Sequence, residues 1–184
     1  MATDFAIRYA IHCVRQGGVI AYPTETVYGL GCDPLCSIAV AAINDLKGRD
    51  ASKGLILLAS RLQQLDSLID VPERDDRATI TGENQPTSWI VPAKSSAPSW
   101  LRGRHQTLAI RITTHPLVIR MCDQLGHALV STSANPAGKK PALNALQLHR
   151  YFGRQLDAML ISNHNCSGRP STIRHLKSGQ LLRK

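Results

Sequence analysis

At 184 residues the chain has room for one domain with a sizeable core, and at roughly 150 residues per domain a second is not expected. Hydrophobic residues make up 43% and charged residues only 19%, which excludes a disordered chain. Twenty-two Lys and Arg against 13 Asp and Glu leave +9, which points to an anionic partner or to a plainly solvated basic surface; 4% aromatics and no row of rings count against a base-stacking single-strand binder.

In chain order, MATDFAIRYA lacks a basic stretch followed by an apolar core, so no signal peptide is expected. Asp4 can cap a first helix with Ile7, Ala10, Ile11 and Val14 on one face, ended by Gly17-Gly18. Val19–Tyr22 reads as a buried strand stopped by Pro23. Ser37 can cap a second helix whose inner stripe is Ile38, Ala41, Ala42 and Leu46. Gly54–Ala59 is a strongly apolar strand and also the longest apolar run, far short of the roughly 20 residues that span a bilayer, so no membrane association is expected. Weaker helices follow around Leu62–Ile69 and Asp75–Glu83. Thr87–Val91 and Thr107–Ile112 read as strands, separated by the long, basic PAKSSAPSWLRGRHQ, a length more often functional than decorative. Pro116–Leu125 is a helix with Pro in its first turn, Ala128–Ser131 a strand, Leu143–Phe152 a helix, and Met159–Ser162, Ser171–Leu176 and Gln180–Leu182 strands. No repeat or linker divides the chain, so residues 1–184 are expected to form one mixed α/β domain around a twisted sheet. Five cysteines without a CxxC pair fit a reducing cytoplasm better than a disulfide scaffold, and His164-x-Cys166 is the closest His/Cys pair.

The standard phosphate devices are absent: there is no GxxxxGK[ST], and Gly29-Leu30-Gly31 does not continue to GxGxxG. A nucleotide would have to be held by side-chain cations and strand-end amides. Four stretches offer such groups. Pro23-Thr24-Glu25-Thr26-Val27-Tyr28-Gly29-Leu30-Gly31 crowds hydroxyls, a carboxylate and a phenol onto an open turn, either to grip a small polar ligand or as a turn capped by Thr24. In Lys47-Gly48-Arg49-Asp50-Ala51-Ser52-Lys53-Gly54, three cations at a helix end either complement its dipole or form a triphosphate clamp. Ser131-Thr132-Ser133-Ala134-Asn135, with Gly138-Lys139-Lys140 beyond it, has more hydroxyls than a turn needs and suits a phosphate ledge. Gly168-Arg169-Pro170-Ser171-Thr172-Ile173 opens a strand with another hydroxyl pair and reads either way.

PTETVYGLG, KGR, STSAN and GRPSTI together, in this order and spacing from about Gly17 to Arg183, resemble the YrdC-like family, in its single-domain form. The resemblance implies a twisted mixed sheet flanked by helices around a deep, positively charged cavity. It implies a nucleotidyltransferase that condenses L-threonine, bicarbonate or carbon dioxide, and ATP into threonylcarbamoyl-adenylate and pyrophosphate. That intermediate would feed N6-threonylcarbamoyladenosine formation at position 37 of tRNAs reading ANN codons, through downstream transfer proteins and with tRNA contact left open. Carried over by motif, Lys47, Arg49, Ser133 and Asn135 are the catalytic candidates. Thr24, Tyr28, Arg111 and Ser171 would grip threonine, and Lys53, Ser131, Lys139 and Arg183 would contact ATP, with Mg²⁺ carried by the nucleotide and no protein ligand to the metal named. Arg111 also makes sense unaided, since a guanidinium at the end of a buried strand can fork onto a carboxylate.

Two positions depart from the family pattern. Asp50 replaces a common Pro and would weaken the local positive potential unless it pairs with Arg49 or Lys53 or meets Mg²⁺. Ile112-Thr113-Thr114-His115-Pro116 follows Arg111 in place of a shorter turn. The competing reading is a non-catalytic RNA-binding factor in tRNA or ribosome maturation, which predicts binding that weakens steeply with salt. Carbamoyl-handling domains of hydrogenase maturation factors share the fold expected here but sit in much longer chains with zinc-finger segments.

Overall fold

Short apolar runs separated by glycine, proline and polar turns produce an alternation of strands and helices, seen in a computed structural model that describes residues 3–161 and 166–183. Ser162, at the end of one expected strand, and His164, of the His164–Cys166 pair, lie outside the described residues. The elements are α1 (Asp4–Arg15), β1 (Ile20–Pro23), β2 (Tyr28–Gly31), α2 (Ser37–Lys47), β3 (Ile56–Ala59), α3 (Arg74–Thr81), β4 (Thr87–Pro92), α4 (Ser99–Arg102), β5 (Thr107–Ile112), α5 (Pro116–Leu125), β6 (Leu129–Ser133), α6 (Ala145–Phe152), β7 (Ala158–Met159), β8 (Thr172–His175) and β9 (Leu181–Arg183). The strands form one mixed sheet in the order β7-β1-β2-β6-β3-β5-β4-β8-β9. The β1/β7, β3/β5 and β4/β8 pairs are parallel and the others antiparallel. This is the mixed α/β sheet flanked by helices that the sequence implies. No helix among the described residues is long and apolar enough to cross a membrane.

Helices cover the sheet unevenly. On one face α1 and α5 pack through Ile7, Ala10, Val118 and Met121 onto Ile20, Tyr22, Leu58 and Leu129. On the other, α2 and α3 pack through Val40, Ile43 and Ile80 against Leu57, Ile110 and Val130. Because side chains alternate along a strand, Ile56 shares a face with Leu58, Ala109 with Arg111, and Ser131 with Leu129. The first face is therefore covered where α1 and α5 lie, and open toward Ile56, Ala109 and Ser131.

Several expectations are corrected. Thr3, not Asp4, caps α1, its hydroxyl accepting from the Ala6 amide at 3.2 Å, while Asp4 pairs with Arg120 at 2.6 Å. The buried residues of α2 are Ala39, Val40, Ile43, Asn44 and Lys47; of the expected stripe, Ala42 and Leu46 are half-buried against the core, while Ile38 is 80% exposed. Its N-cap is Cys36 rather than Ser37. The stretch around Leu62–Ile69 forms only a 3-10 turn over Leu62–Leu65. Tyr28–Gly31, read as an open turn, is a strand that forms a hairpin with β1, closed by the four residues Thr24–Val27 between the paired Pro23 and Tyr28. Glycine is poorly suited to strands, yet Gly31 is required: a Cβ there would lie 2.5 Å from the Val130 carbonyl oxygen and 2.6 Å from the Tyr22 ring.

The buried face of α2 matters because it carries Lys47 inward. Ile43→Ala should destabilise the protein by about 3 kcal/mol, whereas Ile38→Ala should change stability by no more than about 0.5 kcal/mol. Urea denaturation of the two variants checks the assignment; similar losses would contradict it.

Candidate active site

The open part of the first sheet face is the floor of a cavity of about 670 Å³. Strand register builds it: Gly29 lies opposite Ser133, Ile56 opposite both Ser131 and Ala109, and Ala109 opposite Ile90. All of these line the cavity. Of the twelve candidates from the sequence, eleven are lining residues, drawn from the β1–β2 hairpin, the α2–β3 connection, β5, β6 and the β8–β9 edge. Lys139 is the exception: its side chain is exposed, and it contributes a carbonyl that accepts from Asn135 Nδ2 at 2.8 Å.

Lys47 is the last residue of α2 and only 6% exposed. Its Nζ donates to the carbonyls of Ser133 and of Asn135, the latter at 2.8 Å, and to Asn135 Oδ1 at 3.4 Å. The Ser133 hydroxyl donates to the same Oδ1 at 2.6 Å, and the Ala137 amide returns a bond of 2.6 Å to the Lys47 carbonyl. Three of the four catalytic candidates thus form one interlocked group before any ligand arrives. Burial, then the charge of Arg49, lowers the Lys47 ammonium to about 8.

Gly48 ends α2 in the left-handed conformation, φ 58°, and turns Arg49 onto the next segment. Arg49 Nη2 donates to the carbonyls of Lys53 at 3.2 Å and Gly54 at 2.6 Å, while Nη1 is buried without a protein partner. Burial pushes this guanidinium below its ordinary value, with Asp50 opposing. Asp50 itself neither ion-pairs with Arg49 nor with Lys53; it caps the 3-10 turn Ala51–Lys53, accepting from the Ser52 amide at 2.9 Å and the Ser52 hydroxyl at 2.8 Å. Those bonds hold its carboxyl below the usual range. The long β4–β5 connection docks here, through Leu55 N to Leu101 O at 2.9 Å and Arg104 N to Ser52 O at 3.1 Å. It adds Arg102 and His105 to the lining.

At the hairpin, the Thr24 hydroxyl donates to Val27 O at 2.7 Å and accepts from the Thr26 and Val27 amides, so it closes the loop as well as facing the cavity. Tyr28 is buried beside it and its amide donates to Ala142 O at 3.1 Å. Arg111 is 4% exposed and its Nε is buried with no protein partner. Burial pushes it down, and Glu25, at 3.6 Å, opposes. The Ser171 hydroxyl pairs with Ser88 Oγ at 2.9 Å, and Arg183 binds the Ser171 carbonyl at 2.8 Å and the hydroxyl at 3.3 Å. Burial and then Arg111 push Arg183 below its ordinary value.

Two residues of the site were not among the twelve candidates. Glu25 ties the hairpin to the start of α5: its Oε1 accepts from Thr113 Oγ1 at 2.6 Å and from the amides of Thr114 at 2.7 Å and His115 at 2.9 Å. This is what the longer Thr113-Thr114-His115 turn does. Ser88 sits behind Ser171 and gave no signal beyond a strand position. The described lining residues include six Lys and Arg and one carboxylate, Asp50. Such a surface can neutralise phosphates along one stretch and take a carboxylate at Arg111.

Comparison with known proteins gives a consistent picture. The family model described as Sua5_yciO_yrdC, telomere recombination, matches residues 12–184. The chain is 48% identical to a threonylcarbamoyl-AMP synthase of Nitrosococcus oceani over 98% of both chains, and 47% identical to that of Stutzerimonas stutzeri over 100% of this chain and 99% of the other. Among solved structures it is similar to P. abyssi Sua5 complexed with L-threonine, with a TM-score of 0.91 and 27% identity over 98% of this chain; it spans 54% of that longer chain.

The Lys47 ammonium loses its proton near 8 in the folded protein and near 10.5 when unfolded, so the unfolded chain holds more protons between these values and stability rises with pH across that window. Wild type should therefore gain stability relative to Lys47→Met on going from pH 8 toward 10.5. Denaturant melts at both ends check this, and a constant difference would contradict it.

Proposed function

We propose a function for a chain that belongs to the Sua5, YciO and YrdC family: it condenses L-threonine, bicarbonate or carbon dioxide, and ATP into threonylcarbamoyl-adenylate and pyrophosphate. The observation that carries this is the meeting, in one cavity, of a phosphate-type clamp around Lys47, Arg49, Lys53 and the end of β6 with a buried guanidinium, Arg111, whose Nε has no protein partner. The full-length similarity to threonylcarbamoyl-AMP synthases supports it, as does the threonine-bound relative.

The chemistry follows from the residues. Arg111, with Thr24, Tyr28 and Ser171 around it, receives the threonine carboxylate and orients the amine. The amine, as the free base, attacks carbon dioxide and gives up a proton to solvent, leaving a carbamate. A carbamate oxygen then attacks the α-phosphorus of ATP, the bond to the β-phosphate oxygen breaks, and pyrophosphate leaves. Both reactants are anions, so the barrier depends on cancelling charge where it develops. Lys47 and Arg49 do so as fixed cations, and Ser133 and Asn135 hold phosphate and carbamate oxygens by exchanging the hydrogen bonds that Ser133 gives Asn135 and Asn135 gives the Lys139 carbonyl. Lys53, Ser131 and Arg183 hold the nucleotide, with Lys139 at the rim. No group of three His, Cys, Asp or Glu among the described residues is placed to hold a metal, and the Asp50 oxygens are taken by Ser52. Mg²⁺ would arrive with ATP, held mainly by its phosphates. The product feeds N6-threonylcarbamoyladenosine formation on tRNA through downstream transfer proteins.

Pyrophosphate release from ATP should require both L-threonine and bicarbonate. Asn135→Ala and Arg49→Ala should each lower its rate roughly a hundredfold, about 3 kcal/mol of transition-state stabilisation, while each variant still unfolds in a single cooperative thermal transition. Release that needs neither co-substrate, or none under any condition, would contradict the assignment and favour an RNA-binding role.

A further inference from the structure

The cavity poses a sorting problem. ATP brings several negative charges and the amino acid brings one carboxylate beside an ammonium, yet six Lys and Arg side chains line one continuous space. A polyanion would be drawn to every one of them, Arg111 included.

The ion pairs divide these cations. Among the described residues, Arg111 is the only lining cation with a carboxylate within ion-pair distance. Lys47 is held by carbonyl oxygens, Arg49 by the carbonyls of Lys53 and Gly54, and Asp50 is turned to Ser52. The partner of Arg111 is Glu25, which is not itself a lining residue and is fixed from behind. Its two oxygens do separate work: Oε1 is fully taken by Thr113, Thr114 and His115, and Oε2 faces Arg111 at 3.6 Å with no hydrogen-bond donor. Arg111 and those donors hold the Glu25 carboxyl below its ordinary value although burial pulls the other way, so its charge is present at neutral pH.

We infer that Glu25 is a specificity-determining residue of this cavity, its carboxylate making the Arg111 subsite a receptor for the carboxylate of a zwitterionic amino acid and a poor one for phosphate dianions. The inference rests on the threonine-and-ATP reading of the cavity. A dianion feels the nearby negative charge twice as strongly as a monoanion, and in a zwitterion the ammonium offsets part of the repulsion. Glu25 thus directs phosphates away from Arg111 and toward the Lys47 and Arg49 end.

Glu25→Gln separates charge from fastening, because the amide oxygen can still accept from Thr113, Thr114 and His115. Glu25→Ala removes both, and Glu25→Asp keeps the charge. The measurement is calorimetric titration of L-threonine into each protein, alone and against inorganic phosphate. In Glu25→Gln and Glu25→Ala, phosphate should compete with threonine about tenfold more strongly than in wild type, threonine affinity alone should change much less, and Glu25→Asp should stay near wild type. Titrating inorganic phosphate directly should show the gained binding in Glu25→Gln and its loss when Arg111→Met is added. If Glu25→Gln keeps the wild-type ratio and only Glu25→Ala differs, Glu25 merely fastens the hairpin and the inference falls. If wild type binds no L-threonine, the reading beneath it falls first and takes the inference with it.

Discussion

Burying the ammonium of Lys47 demands oxygen partners, because an unpaired charge in a protein interior costs several kcal/mol. The end of β6 meets that demand with the Ser133 and Asn135 carbonyls and the Asn135 amide oxygen. The bond from Ala137 to the Lys47 carbonyl closes the loop in the other direction. The helix that carries the lysine and the strand end that carries the serine and asparagine therefore cannot move independently. Their polar groups are oriented by one another, which is the preorganisation that charge-stabilising catalysis requires.

The remaining architecture serves that junction. Because β6 pairs with β2 on one side and β3 on the other, residues from four distant stretches share one sheet face. Because α1 and α5 cover only the Leu58 and Leu129 part of that face, the Ile56 and Ser131 part stays open. The β4–β5 connection fits against Ser52 and Gly54 through Gly103, φ 61°, where any Cβ would collide with the Ser52 carbonyl. In the proposed reading, a clamp made of side chains takes the place of the glycine-rich loop that the sequence lacks.

Much of this was legible in the sequence. The boundaries of α5 and β5 follow directly from Pro116 and from the alternation in Thr107–Ile112. The motifs that suggest phosphate chemistry do converge, and eleven of twelve candidate side chains line one cavity. What failed did so for identifiable reasons. Two stripes on α2 are about equally apolar, and the choice between them turned on whether a lysine could be buried, which only its carbonyl partners on a distant strand decide. Tyr28–Gly31 has glycines that argue against a strand, and the Tyr22 ring that requires Gly31 lies on the neighbouring strand. Glu25 looked like one polar residue in a turn because its partners, Arg111 and the Thr113–His115 turn, lie far along the chain. Asp50 looked like a disturbance to the clamp; its local bonds to Ser52, two residues on, leave it without a close ion pair to the cations, although its charge still acts on Arg49.

The central claim is that this one cavity joins parts of three substrates into threonylcarbamoyl-adenylate and releases pyrophosphate. Its most direct test is a single-turnover reaction of the purified protein with ATP, L-threonine and carbon-13 bicarbonate, followed by mass spectrometry of the nucleotide products. The account predicts threonylcarbamoyl-adenylate carrying one carbon-13, formed in step with the loss of ATP. ATP cleavage to AMP without that labelled product, or labelled product that still forms when L-threonine is left out, would contradict it.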